Sequence, residues 1–498
     1  MDSSIANNRS TTSKWRKRST NLQNYTMPLI LLISSIIIVA LFISSKTLFT
    51  PSILSISQNS QPIFHIQCAD SGEKFLWYAP HSGFSNQLSE FKNAILLSAI
   101  LNRTLILPPV LDHHAVALGS CPKFRVLDPN ELRFRVWNYN IHLIRNRRYI
   151  SMADIIDISS LVSISAIRVI DFRNFVSMWC GVSVDLLCTS DSSLHASLPE
   201  KLKQCGSLLS GYEGNIDSCL YASQDDCRST VWTYQKDDED GVLDSFQADD
   251  ELKKKRKISY ARTRKDVHKA LGPSSAAGSA TVLSFGSLFT ASYKGSESHI
   301  DIQEAPRDQR IQLLIQKIEF LPFVPEILIA GKKFALQTIK APFLCVQLRL
   351  LDGQFKNHWE STFLGMKQKL DLLKEKDPLP VHIFVMTDLP LVNWTGSYLG
   401  DLAKDSDSFR LFVLREEDEV VAQTAKKLVH AGNSMKLQFL SRNSDGMEQQ
   451  CNALLLPDIL LYMEETICSC ASLGFVGTAG STVSESIELM RKNSICSR

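Results

Sequence analysis

Met27 to Ser45 reads MPLILLISSIIIVALFISS, an apolar run without a single charge. At about 1.5 Å of rise per residue, a helix over this run crosses the roughly 30 Å hydrocarbon core of a bilayer. Arg9, Lys14, Arg16, Lys17 and Arg18 stand before it, and only Lys46 follows before Asp70. The positive-inside rule therefore predicts a cytoplasmic tail over 1–26 and carries everything after the span across the membrane. The run is long for a signal-peptide core, starts late and is followed by no A-x-A-like cleavage site, so it is expected to stay as a signal anchor. A span this short suits the thinner membranes of the early secretory route. With no KDEL-type retention signal at the C-terminus, the expected station is the Golgi membrane, single-pass type II, with the large C-terminal part luminal.

That topology sets how the cysteines are read. All twelve lie after residue 60, and in an oxidising lumen disulfides are expected, with pairings that spacing does not reveal. A zinc reading fails on spacing. Cys468-Ser469-Cys470 is the only tight pair, one residue short of the usual gap, and no second pair answers it. The chain of 498 residues is 44% hydrophobic and 21% charged with a formal net charge of +2. Such a balance excludes a disordered chain and argues against a dedicated nucleic-acid binder. A basic run, KKKRK from Lys253, follows an acidic one, DDED from Asp237. Both read as solvated faces, and a luminal KKKRK would never meet the nuclear import machinery.

Residues 46–67 are rich in Ser and Gln and hold two prolines, the composition of a stem. From Cys68 the periodicity becomes α/β. A strand over Lys74–Tyr78, a helix over Asn86–Leu101 and a strand over Thr104–Leu107 make a βαβ unit. Cys180–Cys227 reads as a disulfide-braced insertion, and VLSFGSLF after Ala280 as a strand. Alternation returns with strands over Phe343–Leu348, Val381–Met386, Arg410–Leu414 and Gly474–Gly477. Helices are expected over Ile311–Phe320, Pro325–Ala335, Phe355–Lys374, Cys451–Ser469 and Ser481–Arg491. The expected organisation is an N-terminal Rossmann-like domain over 68–330, with cysteine-rich and charged insertions, and a C-terminal nucleotide-sugar-binding domain over 331–498. By analogy of fold, two doubly wound domains facing a cleft make a GT-B-like arrangement, here preceded by one transmembrane helix.

Ligands of open parallel sheets bind beyond the C-terminal ends of strands, and four such ends carry unusual residues. His81-Ser82-Gly83-Phe84-Ser85-Asn86-Gln87 joins a strand to a helix. Gly83 would let backbone amides approach an anion, while Asn86 and Gln87 offer carboxamides to phosphate or sugar; a tight turn with Ser85 or Asn86 as the helix cap is the plain alternative. Gln347-Leu348-Arg349-Leu350-Leu351-Asp352-Gly353 leaves a strand, and Arg349 could fork onto a diphosphate or pair with Asp352. Thr387-Asp388 ends an apolar strand, where Asp388 meets a base or ribose, or caps a turn. Phe475 to Thr482, FVGTAGST, puts two glycines and the hydroxyls of Ser481 and Thr482 at a helix start, a phosphate cradle without the lysine of a Walker loop.

Taken in order, PHSGFSNQLSEFKNAILLSAILNRTLILPPVLDHH, LRLLDG, FVMTDLP and FVGTAGSTVSESIELMRK resemble the plant O-fucosyltransferase family over roughly 68–498. The first also resembles the G-x-F-x-N-Q segment of animal protein O-fucosyltransferases. The resemblance implies a type II Golgi enzyme of GT-B fold, inverting and metal-independent. GDP-fucose would be its donor substrate, with no further cofactor, and a protein or cell-wall glycan its acceptor. It assigns Arg349 to the diphosphate and transition-state charge, and places Asn86 near the sugar and leaving oxygen within the Gly83–Gln87 loop. Gly83, Phe84, Asn86, Gln87, Gln347, Leu348, Arg349, Asp388, Ser481 and Thr482 would line the nucleotide-sugar pocket. No metal ligands are implied, and no DxD-type acidic pair stands at a strand end.

One position departs from the family pattern. A His two residues before the Arg is usual, and this chain has Gln347, which hydrogen-bonds but does not titrate. If that His only orients, activity survives the exchange; if it carries protons, the exchange weakens or abolishes activity. Asp352, His358 and Glu360 are nearby candidate bases, each also an ordinary turn-capping residue. Two other readings stand beside fucosyl transfer: the same fold with another donor such as a rhamnose nucleotide, and a catalytically silent glycan-binding or scaffold protein. Asn102-Arg103-Thr104 and Asn393-Trp394-Thr395 are luminal glycosylation sequons. Asn102 falls between a helix and a strand, which leaves Asn393 as the better acceptor.

Overall fold

The computed structural model describes residues 72–111, 127–163, 167–188, 197–216, 218–224, 230–233, 260–263, 267, 270–288, 309–351, 359–376, 378–434 and 453–497. The expected tail, anchor and stem, the DDED and KKKRK runs, Asp352 and His358 lie outside the described residues. Among the described residues no helix is long and apolar enough to cross a membrane.

Two all-parallel sheets form the frame. The first has the order β3-β2-β1-β7-β4, with β1 at Phe75–Tyr78, β2 at Thr104–Leu107, β3 at Val169–Asp171, β4 at Leu220–Ala222 and β7 at Val282–Phe285. The second has the order β10-β9-β8-β11, with β8 at Phe343–Leu348, β9 at Val381–Thr387, β10 at Phe409–Phe412 and β11 at Gly474–Gly477. A separate parallel pair joins β5 (Thr230–Thr233) to β6 (Tyr260–Thr263). The α/β class and the parallel pairing expected from the alternation are therefore present. The cysteine-rich stretch after Cys180 supplies β4, an edge strand of the first sheet.

Side chains of successive strand residues point to opposite faces, and both faces of both sheets are covered. In the first sheet Leu76, Tyr78, Leu105, Leu107, Leu283 and Phe285 face one core. Phe75, Trp77, Ile106, Ile170 and Val282 face another, under α2 (Pro129–Arg145) and α3 (Leu198–Ser210). In the second sheet Phe343, Cys345, Phe384 and Met386 join the same core as Leu76. Leu344, Val346, Ile383 and Val385 pack on α5 (Trp359–Lys376) in a core of their own. The shared core is filled by α1 (Phe84–Ile100), α4 (Pro325–Phe334), α6 (Leu460–Ser469) and α7 (Thr482–Lys492), so both sheets pack against one layer of helices. All six residues of β8 are buried, which at about 1.5–3 kcal/mol for each large apolar side chain makes this strand a principal source of stability.

The periodicity predicts a helix over Cys451–Ser469, but α6 begins only at Leu460. Pro457 disfavours helical backbone at the residue before it, and the amides of Leu454 and Leu455 donate instead to the carbonyl of Arg147.

No described cysteine is free. Cys468 and Cys470, the pair too close for a zinc knuckle, go to different partners: Cys345 on β8 and Cys496 near the C-terminus. Cys180 is bonded to Cys205. The Cys345–Cys468 bond closes a loop with a sequence separation of 123, and long loops lose the most chain entropy when closed. Replacing both cysteines by serine is expected to lower stability by about 2–5 kcal/mol, read as an earlier urea midpoint.

Candidate active site

Chain order and strand order together locate a crevice in each sheet. In the second, the chain runs β8, β9, β10 outward and then returns to place β11 on the other side of β8. The exits of β8 and β11 diverge at this switch of direction and leave room for a ligand. Arg349 leaves β8 there, half-buried, and FVGTAGST leaves β11 directly beside it. The two exits are stitched together. The Arg349 amide donates to Thr478 Oγ1 at 2.9 Å, and the Thr478 amide and hydroxyl donate to the Gln347 carbonyl at 3.0 and 3.2 Å.

The turn then enters α7 through Gly480, whose φ of +70° is a left-handed value that glycine tolerates. Ser481 is the N-cap residue of α7. Its hydroxyl is fully buried yet has no hydrogen-bond partner among the described residues, and it does not cap the helix. Buried polar groups are almost always paired. An unpaired hydroxyl at a helix N-terminus, where amide hydrogens and the helix dipole converge, is a place for an anion. Half-buried Thr482 follows it.

Gly477 is required here by space. A Cβ on it would lie 2.4 Å from Ser484 Oγ and 2.8 Å from Ser484 Cβ, so the first turn of α7 sits against bare backbone. Gly477→Ala is expected to push that turn outward at a cost of about 1–3 kcal/mol, seen as a lower denaturation midpoint.

Gln347 faces inward. It is 4% exposed, and its Oε1 accepts from Ser484 Oγ at 2.6 Å and from the Thr478 amide at 3.3 Å. The carboxamide thus ties β8 to α7. Leu348 is also fully buried, in the core under α5, which leaves only its backbone for a ligand. Asp388 holds the loop beyond Arg349. Its two carboxylate oxygens accept the amides of Leu350 at 2.7 Å and Leu351 at 2.9 Å, fixing the direction in which the chain departs from Arg349.

In the first sheet the switch lies between β1 and β7. The β1 exit carries the Gly83–Gln87 segment. Gly83 is the N-cap of α1, with extended backbone and half-buried. Phe84 turns into the shared core, its ring 4.5 Å from that of Tyr462 on α6. Gln87 is fully buried and occupied at both ends. Its Nε2 donates to the Ser82 carbonyl at 2.7 Å, and its Oε1 accepts the Leu111 amide at 3.0 Å. The first of these bonds holds Ser82 at a left-handed φ of +68°, which costs an ordinary residue about 1–3 kcal/mol. Asn86 is half-buried, and its carboxamide has no hydrogen-bond partner among the described residues. Helices α1 and α7 pack against each other, so the two motif-bearing helices meet although nearly 400 residues separate them in sequence.

Glu90, one turn after Asn86, has no place in the sequence reading. It is fully buried and accepts the His81 amide at 2.9 Å, Ser287 Oγ at 2.9 Å and the Leu288 amide at 3.3 Å. It therefore pins the β1 exit to the β7 exit. The phenol of Tyr78, buried without a hydrogen-bond partner among the described residues, is pushed well up by burial and then by the Glu90 charge. The signal for Glu90 is a carboxylate on the stripe of Gln87, Phe91 and Ala94, the face that α1 buries.

No family model matches the chain. A relative from Arabidopsis thaliana, O-fucosyltransferase 30, is 55% identical over 492 residues, covering 97% of this chain and 96% of the relative. The chain belongs to the O-fucosyltransferase family. It is a glycosyltransferase. Among solved structures, POFUT1 in complex with GDP aligns at 14% identity and a TM-score of 0.36, covering 84% of this chain and 96% of that one. POFUT1 in complex with GDP-fucose aligns at 12% identity and a TM-score of 0.37, covering 85% and 95%.

In this O-fucosyltransferase the ten residues expected at the pocket divide by what their side chains touch. Arg349, Ser481, Thr482 and Asn86 stand at or just beyond strand exits, and of these the side chains of Ser481 and Asn86 have no hydrogen-bond partner among the described residues. Phe84, Gln87, Gln347, Leu348 and Asp388 are spent on the frame that holds those groups, and Gly83 contributes backbone. Of the candidate bases, Glu360 is among the described residues and lies in the first turn of α5.

Proposed function

We propose that this enzyme transfers fucose from GDP-fucose to a hydroxyl of a protein or cell-wall glycan, with inversion and without a metal ion, as a type II Golgi membrane protein of GT-B fold. The observation that carries the reading is the buried hydroxyl of Ser481 at the start of α7, unpaired among the described residues, in the turn whose Thr478 accepts the Arg349 amide. As the bond from the sugar to the diphosphate breaks, negative charge grows on the leaving oxygens. A guanidinium, the amides of a helix N-terminus and two hydroxyls are the groups that stabilise such charge, in the place a divalent ion takes in other transferases. Asn86 would meet the sugar and leaving oxygen from the first sheet. Inversion follows from one displacement, in which the acceptor oxygen attacks the anomeric carbon opposite the departing GDP.

The Gln347 carboxamide is engaged in structure, so the exchange from His leaves the frame of the site complete. The luminal location is supported by the Cys345–Cys468 and Cys470–Cys496 bonds, which persist in oxidising compartments.

The test is the thermal unfolding of the detergent-solubilised full chain with GDP, GDP-fucose, UDP and UDP-rhamnose in excess chelator. A ligand that binds only the folded state raises the midpoint in proportion to the logarithm of its concentration over Kd. Stabilisation by GDP and GDP-fucose alone is expected. Stabilisation by UDP-rhamnose would change the donor, and no stabilisation by any nucleotide would favour the silent protein.

A further inference from the structure

We propose that Asn393 carries an N-linked glycan and that Asn102 does not, an inference that rests on the luminal reading above. Both stand in Asn-x-Thr sequons, which mark acceptor asparagines on secreted surfaces. The fold treats the two very differently.

Around Asn102 the sequon is built into the first sheet. Its hydroxyl residue, Thr104, is 2% exposed at the start of β2, donating to Glu73 at 2.8 Å and accepting Arg168 Nε at 3.2 Å. Arg103, 3% exposed, donates to the carbonyls of Ala277 at 2.6 Å and Ala280 at 3.0 Å. Asn102 itself is exposed in the turn before β2, but it is held at φ +51° with its Oδ1 and carbonyl both accepting from Arg168. Every residue of this sequon is thus hydrogen-bonded within the fold.

At Asn393 the arrangement is reversed. The short turn Leu391–Asn393 follows β9, and Asn393 and Thr395 are both exposed. Neither side chain has a hydrogen-bond partner among the described residues. Trp394 between them is the buried peg. It is 7% exposed, and its indole donates to the Leu389 carbonyl at 3.1 Å. With the middle residue anchored, the asparagine and the threonine project outward, and Gly396 at φ +82° turns the chain away after them. Val392, 83% exposed, and Leu391, 41% exposed, leave apolar surface beside the asparagine that a glycan core would cover. The glycan would stand five residues beyond Asp388, at the same edge of the second sheet as Arg349. The sequons at Asn8 and Asn24 precede the expected anchor and fall on its cytoplasmic side.

The full chain, extended by a C-terminal reporter sequon, is expressed in a eukaryotic secretory host and treated with peptide N-glycosidase. Wild type and Asn102→Gln should each lose the mass of two glycans. Asn393→Gln and Thr395→Ala, which remove the same sequon at different exposed residues, should each lose one. A modified reporter with Asn393→Gln indistinguishable from wild type overturns the Asn393 site and leaves the luminal reading standing. A glycan lost in Asn102→Gln overturns the exclusion of Asn102. An unmodified reporter overturns the luminal reading and the proposal with it.

Discussion

Arg349→Ala is expected to lower fucosyl transfer by about 10³-fold, the scale on which a single group opposing transition-state charge acts. At about 1.4 kcal/mol per factor of ten, this is roughly 4 kcal/mol of lost stabilisation. The loss should fall mainly on kcat, because the charge on the leaving diphosphate is greatest after the bond has begun to break. The fold should survive. The β8 exit is tied to the β11 turn by the Arg349 backbone amide on Thr478 Oγ1 and by the Thr478 amide and hydroxyl on the Gln347 carbonyl, and the substitution removes none of these. Arg349→Lys should recover only part of the rate, since an ammonium is a point charge without the planar fork that grips two oxygens. Steady-state kinetics with labelled donor, beside a denaturation curve for each variant, make the test. If Arg349→Ala keeps more than a tenth of the wild-type rate, the guanidinium does not face the leaving group, and the crevice must be read again from Ser481.

The strands that bear this site were legible for a physical reason. β8 and β9 are the inner strands of a parallel sheet covered on both faces, so each reads as a largely apolar run ended by its exit residues. Exits of parallel strands are also where ligands sit, and the four motifs fell there. The direction of each polar side chain was not legible. Gln87 and Asn86 are neighbours with equivalent carboxamides, yet one is locked between Ser82 and Leu111 and the other is half-buried without a hydrogen-bond partner among the described residues. A helix turns about 100° per residue, and without the packing of α1 nothing in the pattern says which of the two points in. Gln347 and Asp388 follow the same logic, with their hydrogen-bonding capacity consumed by amides and hydroxyls from segments distant in sequence. The middle of the chain failed differently. α2 runs from Pro129 to Arg145 with Glu, Arg, Asn and His mixed through its length, and β3 has three residues, too few to show a period.

Glu465→Gln is expected to stabilise the enzyme strongly at pH 8 and hardly at pH 4, which reverses the usual outcome of altering a fully buried residue. Glu465 lies on α6, 1% exposed, with Oε2 accepting from Ser486 Oγ of α7 at 2.6 Å and Oε1 unpaired among the described residues. Burial pushes its carboxyl up to about 8, with the Ser486 bond pulling weakly the other way. Its neighbour Glu464 is pushed up by burial, by Asp458 and by Glu465 itself, so both carboxyls act with the same sign. The folded state keeps the Glu465 proton while the unfolded chain releases it near the ordinary value of 4.5. Between those values the unfolded state binds fewer protons, and stability must fall as pH rises. The contribution is whole below about pH 4.5 and gone above about 8, a span on the order of 5 kcal/mol at about 1.4 kcal/mol per pKa unit. Glutamine has no proton to lose and still offers Ser486 an oxygen, so the variant should have a flatter stability curve across this range. Urea midpoints for the two proteins at pH 5, 6.5 and 8 decide it. Parallel curves would mean that Glu465 is ionised in the fold and has found a partner for Oε1. A widening gap toward pH 8 would mean that the packing of α6 on α7, and with it the helix that carries Ser481, is firmest in mildly acidic surroundings.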